Sequence, residues 1–112
     1  MIDSYGFGEI VINGKSYTSD VIIYPNKVDS SWWRKEGHEL GIEDLKDVLE
    51  QKPDVIIVGT GYSGIMQVLP ETKKLIESKK IKLVIEDTRR ACQSYTEFSK
   101  KQKVIALLHL TC

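Results

Sequence analysis

Residues 55–58 read Val-Ile-Ile-Val, four β-branched side chains in a row, and lead directly into Gly59-Thr60-Gly61. Successive side chains of a strand point to opposite faces, so a run with no polar member must be covered on both sides. A sheet with one wet face is excluded. Helices, or a second sheet, have to lie above and below.

The flanking segments can supply those layers. Ile42, Leu45, Val48 and Leu49 recur at helical spacing, which predicts a helix over residues 42–51, broken by Lys52-Pro53-Asp54. Pro70 suits the first position of a helix over residues 70–79, with Glu71 in its first turn. Residues 81–86 read as the next strand. Asp87 or Thr88 then caps a helix whose Ala91, Cys92, Tyr95 and Phe98 form one apolar stripe, and residues 104–110 are the last strand. The second half is therefore β-α-β-α-β. In the first half, residues 8–12 reach Asn13-Gly14, the strongest short hairpin signal, and residues 16–24 form the return strand, stopped by Pro25-Asn26. Residues 26–40 show neither period and read as a long loop, often a functional one in a compact domain. The expectation is a layered α/β domain with a mixed central sheet and an N-terminal β-hairpin packed on or beside it.

At 112 residues the chain is one domain, residues 1–112, with no repeat or linker. Sixteen basic and sixteen acidic residues cancel, so no global field draws in nucleic acid or an anionic membrane. No apolar run reaches spanning length, and MIDSYGFGEI lacks the basic-then-apolar order of a secretory signal. Two cysteines make no disulfide framework, and reduced thiols point to the cytoplasm.

Gly59-x-Gly61-x-x-Gly64 after a buried strand has the spacing of a dinucleotide fingerprint, and Glu86 lies where the ribose-binding acid belongs. Two features oppose that reading. The fingerprint opens a helix within its glycines, and Pro70 would fall inside that helix at a cost of about 3 kcal/mol. Only one of the two required halves is present. The competing reading is a tight βα loop that needs positive φ angles.

Trp33-Arg34 with Glu36-Gly37, then IIVGTG, then Asp87-Thr88 with Ala91 and Tyr95, then His109-Leu110-Thr111-Cys112 occur in an order that carries a resemblance. The chain resembles the small Mth-type domain family that includes the adipogenesis-associated Mth-domain protein and, more distantly, the mitochondrial complex I assembly factor 3. The resemblance implies a three-layer α/β fold with a mixed central sheet and no established enzymatic activity. It also implies that Gly64 is dispensable, which makes the fingerprint match accidental, and that His109 lines a pocket. The mitochondrial branch has a targeting segment that this sequence does not show, so neither its organelle nor its role carries over.

In open α/β sheets, ligands bind beyond the carboxyl ends of the strands. There Gly59, Thr60 and Gly61 come near Thr88, Arg89 and Arg90, and backbone N–H groups of the loop and helix start favour an anion. Two arginines in the first turn of a helix oppose its dipole, a local violation of the kind that marks function. With Tyr95 and His109 these six are the candidate ligand-binding residues. The plainer account is that Glu86 and Asp87 balance two solvated arginines. Zinc wants about four protein ligands and the chain has two His and two Cys, so neither metal nor cofactor is expected. A nucleophile built from His109 and Cys112 lacks an identifiable third group to orient it. Trp32, Trp33 and Arg34 are candidate anchors for a protein partner, with one Trp buried and one exposed. The reading is a non-enzymatic binding, assembly or adaptor protein with a small anionic ligand or a protein partner, as monomer or homodimer. The alternative is an enzyme acting on a phosphorylated or carboxylated metabolite or nucleotide in the same crevice.

Overall fold

The computed structural model describes residues 1–34 and 36–112. Strand β7 (Val55–Gly59) lies inside a five-stranded sheet ordered β5-β4-β10-β7-β9, built with β4 (Val21–Tyr24), β5 (Lys27–Asp29), β9 (Lys82–Glu86) and β10 (Val104–Leu108). β10 and β9 run parallel to β7, while β4 is antiparallel to β10 and β5 antiparallel to β4. The sheet is mixed, as expected.

Each face of this sheet carries its own core. Ile56, Val58, Ile105 and Leu107 pack with Leu45 and Val48 of a 3₁₀ turn (Ile42–Leu45) and helix α1 (Lys46–Glu50), and with Ile76 of α2 (Pro70–Ser78). Val55, Ile57, Val104, Ala106 and Leu108 pack on the other side with Ala91 and Cys92 of α3 (Thr88–Phe98) and with Ile10 and Ile12. The last two belong to a separate three-stranded sheet, β1 (Ile2–Gly6), β2 (Glu9–Ile12) and β3 (Lys15–Tyr17), which caps that face beside α3. Burying a Val, Leu or Ile contributes roughly 1.5–3 kcal/mol each, so the two cores are the main stabilising term.

Several elements match their sequence signals closely. Asn13 and Gly14 have φ of 51° and 79°, the paired positive angles of a type I′ hairpin turn. Residues 59–69 form no helix, and α2 starts at Pro70, whose missing N–H costs nothing at a helix's first position. Asp87 caps α3 by accepting from the Arg90 N–H at 3.0 Å.

Two expectations need correction, and one strand is not foreseen. The return strand over residues 16–24 is two strands in two sheets, β3 and β4, because the polar Thr18-Ser19-Asp20 breaks it. Pro25-Asn26 does stop β4 at Tyr24, and it also turns the chain into a β4–β5 hairpin, with Tyr24 opposite Lys27. The loop over residues 26–40 therefore contains β5 and a short strand, β6 (Glu39–Leu40), parallel to β8 (Gln67–Val68). β1 has no clear sequence signal, since its alternating residues are covered only by α3 and the neighbouring hairpin. Among the described residues no helix is long and apolar enough to cross a membrane.

Candidate functional site

β7, β9 and β10 finish at the same end of the sheet, and the segment 109–112 folds over that end. This crown is where the sequence places its crevice. Thr88 organises it: its hydroxyl accepts from the Gly61 N–H at 2.8 Å and donates to the His109 carbonyl at 2.6 Å. The His109 N–H reaches the Gly59 carbonyl at 3.0 Å. One buried hydroxyl thus ties the ends of β7, β10 and α3 together.

The glycines are there because the chain itself comes so close. A Cβ on Gly59 would stand 2.8 Å from the Thr88 Oγ1. On Gly61, at φ +113°, it would stand 2.5 Å from the Cys112 oxygen and 2.8 Å from the Thr111 oxygen. The Tyr62 N–H donates to Thr111 at 2.6 Å, Ile65 to Cys112 at 3.0 Å, and Thr88 to Gly61 at 3.0 Å. Thr60 donates from its backbone to Glu86 at 2.9 Å. The backbone N–H groups of Thr60, Gly61, Tyr62, Ile65, Thr88 and Arg90 are thus engaged by oxygens of this chain.

Arg89 and Arg90 are exposed at the rim. Arg89 lies over the Tyr62 ring at 5.1 Å and donates to the Tyr62 hydroxyl at 2.9 Å. Phe7, 61% exposed, meets Tyr62 edge-on at 5.8 Å, and Tyr5 lies 6.3 Å from it. Ile65, in the same loop as Tyr62, is exposed as well. The crown therefore presents aromatic and guanidinium groups outward. Tyr95 stands two turns along α3 and borders a different cleft with Ile12, Tyr17 and Val28.

Behind the crown is a charged cluster whose acid the sequence does not reveal. His109 and Arg34 are only 5% and 8% exposed. Asp20 joins them: its Oδ2 lies 2.8 Å from Arg34 Nη1 and 2.8 Å from His109 Nδ1, and its Oδ1 accepts from the Leu110 N–H at 2.8 Å. Burial alone would raise the Asp20 pKa, but the bonds from His109, the Leu110 N–H and Arg34 prevail and hold it at about 2, against an ordinary 3.8. His109 Nδ1 lies between this carboxylate and Arg34 Nη2, which is 3.1 Å away. Its Nε2 is buried and finds no partner in the protein among the described residues. Arg34 Nη2 donates to the Gly37 carbonyl at 2.7 Å, and its guanidinium lies 4.6 Å from the Trp32 ring.

Of the candidate anchors, then, Arg34 is structural, Trp32 packs against the core, and Trp33 is 77% exposed. Asp20 is also the orienting group that His109 lacks in the sequence, supplied from just before β4. Burial pushes the Cys92 thiol up to about 12, a core group with no thiolate character. Among the described residues no three His, Cys, Asp or Glu side chains converge as a metal site.

Over residues 2–109 the chain matches a family described as a protein of unknown function (DUF498/DUF598). Among solved structures it is similar to the conserved hypothetical protein PH1505 from Pyrococcus horikoshii OT3, with 31% identity and a TM-score of 0.87 over 100% of this chain and 99% of the other. MT938 is similar at 28% identity and a TM-score of 0.82, over 100% and 98%. A Mth938-like domain from Bordetella pertussis shares the fold at 18% identity and a TM-score of 0.69, over 98% of this chain and 85% of its own.

Two outcomes follow from the geometry. The folded-state pKa of Asp20 lies below the unfolded one, so its contribution is present above pH 3.8 and lost as the pH falls towards about 2. Urea titrations over that range should show wild-type stability falling by roughly 2 kcal/mol more than that of Asp20→Asn. Equal slopes would contradict the assignment. Separately, Thr88→Val strands the Gly61 N–H and the His109 carbonyl and should cost about 2–4 kcal/mol, whereas Thr88→Ser, which keeps the hydroxyl, should cost clearly less.

Proposed function

The chain belongs to the Mth-type domain family, and within it we propose a non-enzymatic binding or assembly protein that acts through the crown. The observation that carries this reading is the exposed group of Phe7, Tyr62, Ile65 and Arg89 on a frame held rigid by Thr88. Large aromatic and Arg side chains dominate the energetics of interfaces, and scattered exposure would not stack Phe7, Tyr62 and Arg89 on one another. The engaged backbone donors favour a partner that lies on the crown over a small anion sunk beneath it. Arg89 and Arg90 suit an acidic group at that partner's rim.

The alternative, an enzyme acting on a phosphorylated or carboxylated metabolite, has the Asp20–His109 pair in its favour, since a carboxylate that fixes one imidazole nitrogen readies the other as a base. It requires the His109 Nε2, now enclosed, to reach its substrate.

A photo-crosslinking residue placed at Phe7 or Tyr62 in the host cell tests the first reading, with Lys100 as the control position. Discrete products are expected from the two crown sites and not from Lys100, and Arg89→Glu should diminish them. Labelling that is equal at Lys100, or absent from the crown, would refute it. If the protein instead changes the composition of a metabolite extract, and His109→Gln abolishes the change, the enzymatic reading replaces it.

A further inference from the structure

One edge of the central sheet is open. β9 is the last strand in the order, with β7 on one side and, among the described residues, no strand on the other. Its register against β7 is unbroken, from Val55 opposite Lys82 to Gly59 opposite Glu86. The Lys82 N–H bonds to the Asp54 carbonyl at 3.1 Å, and the Glu86 carbonyl accepts from Thr60 at 2.9 Å. Along a strand, alternate residues turn their backbone groups to opposite sides. Lys82, Val84 and Glu86 therefore address β7, while the N–H and C=O of Leu83 and Ile85 point away from the sheet.

Such an edge is a template for another strand unless a proline, a bulge or unmatched charge guards it. β9 has no proline and no bulge, and its Ile85 is 38% exposed. The opposite edge, β5, is only three residues long, and its Asp29 carboxylate is held by Ser31 at 2.7 and 2.9 Å. The open edge is β9.

Charge identifies the strand that fits it. β9 is bipolar, with Lys79, Lys80 and Lys82 at its start and Glu86 and Asp87 at its end. A parallel copy in register would set like charge against like. An antiparallel copy turned about Val84 sets Lys82 opposite Glu86 of the second copy, at both ends of the pair. The same register pairs Leu83 with Ile85 of the second copy, the residues whose backbone groups are free. Leu83 already packs against the α2-side core, so this pairing covers Ile85 on that face.

We infer that two copies of this chain associate antiparallel along β9, about Val84, joining their central sheets into one. The partner is identified by self-complementarity: turned about Val84, β9 matches itself in hydrogen bonding, apolar face and reversed charge order. This association is independent of the crown, which lies across the ends of the strands and not along their edge.

Sedimentation equilibrium over a concentration series tests it. The wild-type mass should rise from monomer to dimer. Ile85→Pro, which removes only an outward-facing N–H, should stay monomeric with an unchanged circular dichroism spectrum. Lys82→Glu and Glu86→Lys each oppose like charges at both ends and should weaken association at least about tenfold. Mixing these two variants restores opposite charges, so the mixture should dimerise where neither does alone, a result that misfolding cannot produce. A wild type that remains monomeric to its solubility limit, a dimer indifferent to Ile85→Pro, or a mixture no tighter than its components would each overturn the inference.

Discussion

β7 leaves no face to solvent. All five of its residues are buried, with a parallel strand on either side, so each face must be paved by something that arrives from elsewhere in the chain. The 3₁₀ turn with α1 and α2 paves one side; α3 and a second sheet pave the other. With both faces committed, chemistry is confined to the strand ends and the sheet edges. The crown and the β9 edge are those two places. The Asp20–Arg34–His109 cluster sits where the antiparallel β4 begins beside the end of β10, the point at which the sheet changes direction.

That cluster follows the logic of buried charge. A guanidinium at 8% exposure is tolerable only with a carboxylate in contact, and Asp20 supplies it while also holding the Leu110 N–H and the imidazole. Removing one member leaves the others buried and uncompensated, which costs far more than the assembled set contributes. Its role in specifying structure is to fix the entry to β4, the exit from β10 and the Gly37 carbonyl relative to one another.

What the sequence makes legible tracks local signals. Residues 55–58, Asn13-Gly14, Pro70 and Asp87 each carry a steric or hydrogen-bonding rule that operates within a few residues, and each element appears where the rule puts it. What local rules cannot supply is which sheet a strand joins. Residues 16–24 read as one return strand, yet Tyr17 pairs with Ile10 in the small sheet and Val21 with Leu108 in the large one. The crevice residues show the same limit. Gly59, Gly61, Thr88 and His109 do meet, but what fills the space beside Gly61 is the backbone of Thr111 and Cys112, a contact that spans half the chain and leaves no mark in the local pattern. Asp20 is hidden for the same reason, lying 89 residues from the histidine it orients.

The small sheet is joined to the rest of the domain through one short polar link, Thr18-Ser19-Asp20, through side-chain packing, and through the Leu110 carbonyl, which receives the Tyr5 hydroxyl and the Gly8 N–H. No strand of it pairs with the central sheet. A unit attached in that way can open without the central sheet melting, as a cooperative sub-global event. Opening would carry Tyr5 and Phe7 away from Tyr62 and free the Leu110 carbonyl. The surface offered to a partner is thus assembled from two parts of unequal stability. Its occupancy is set by the looser part, so a ligand that bridges Phe7 and Tyr62 would slow amide exchange in β1 and β2 while leaving β7 and β10 unchanged.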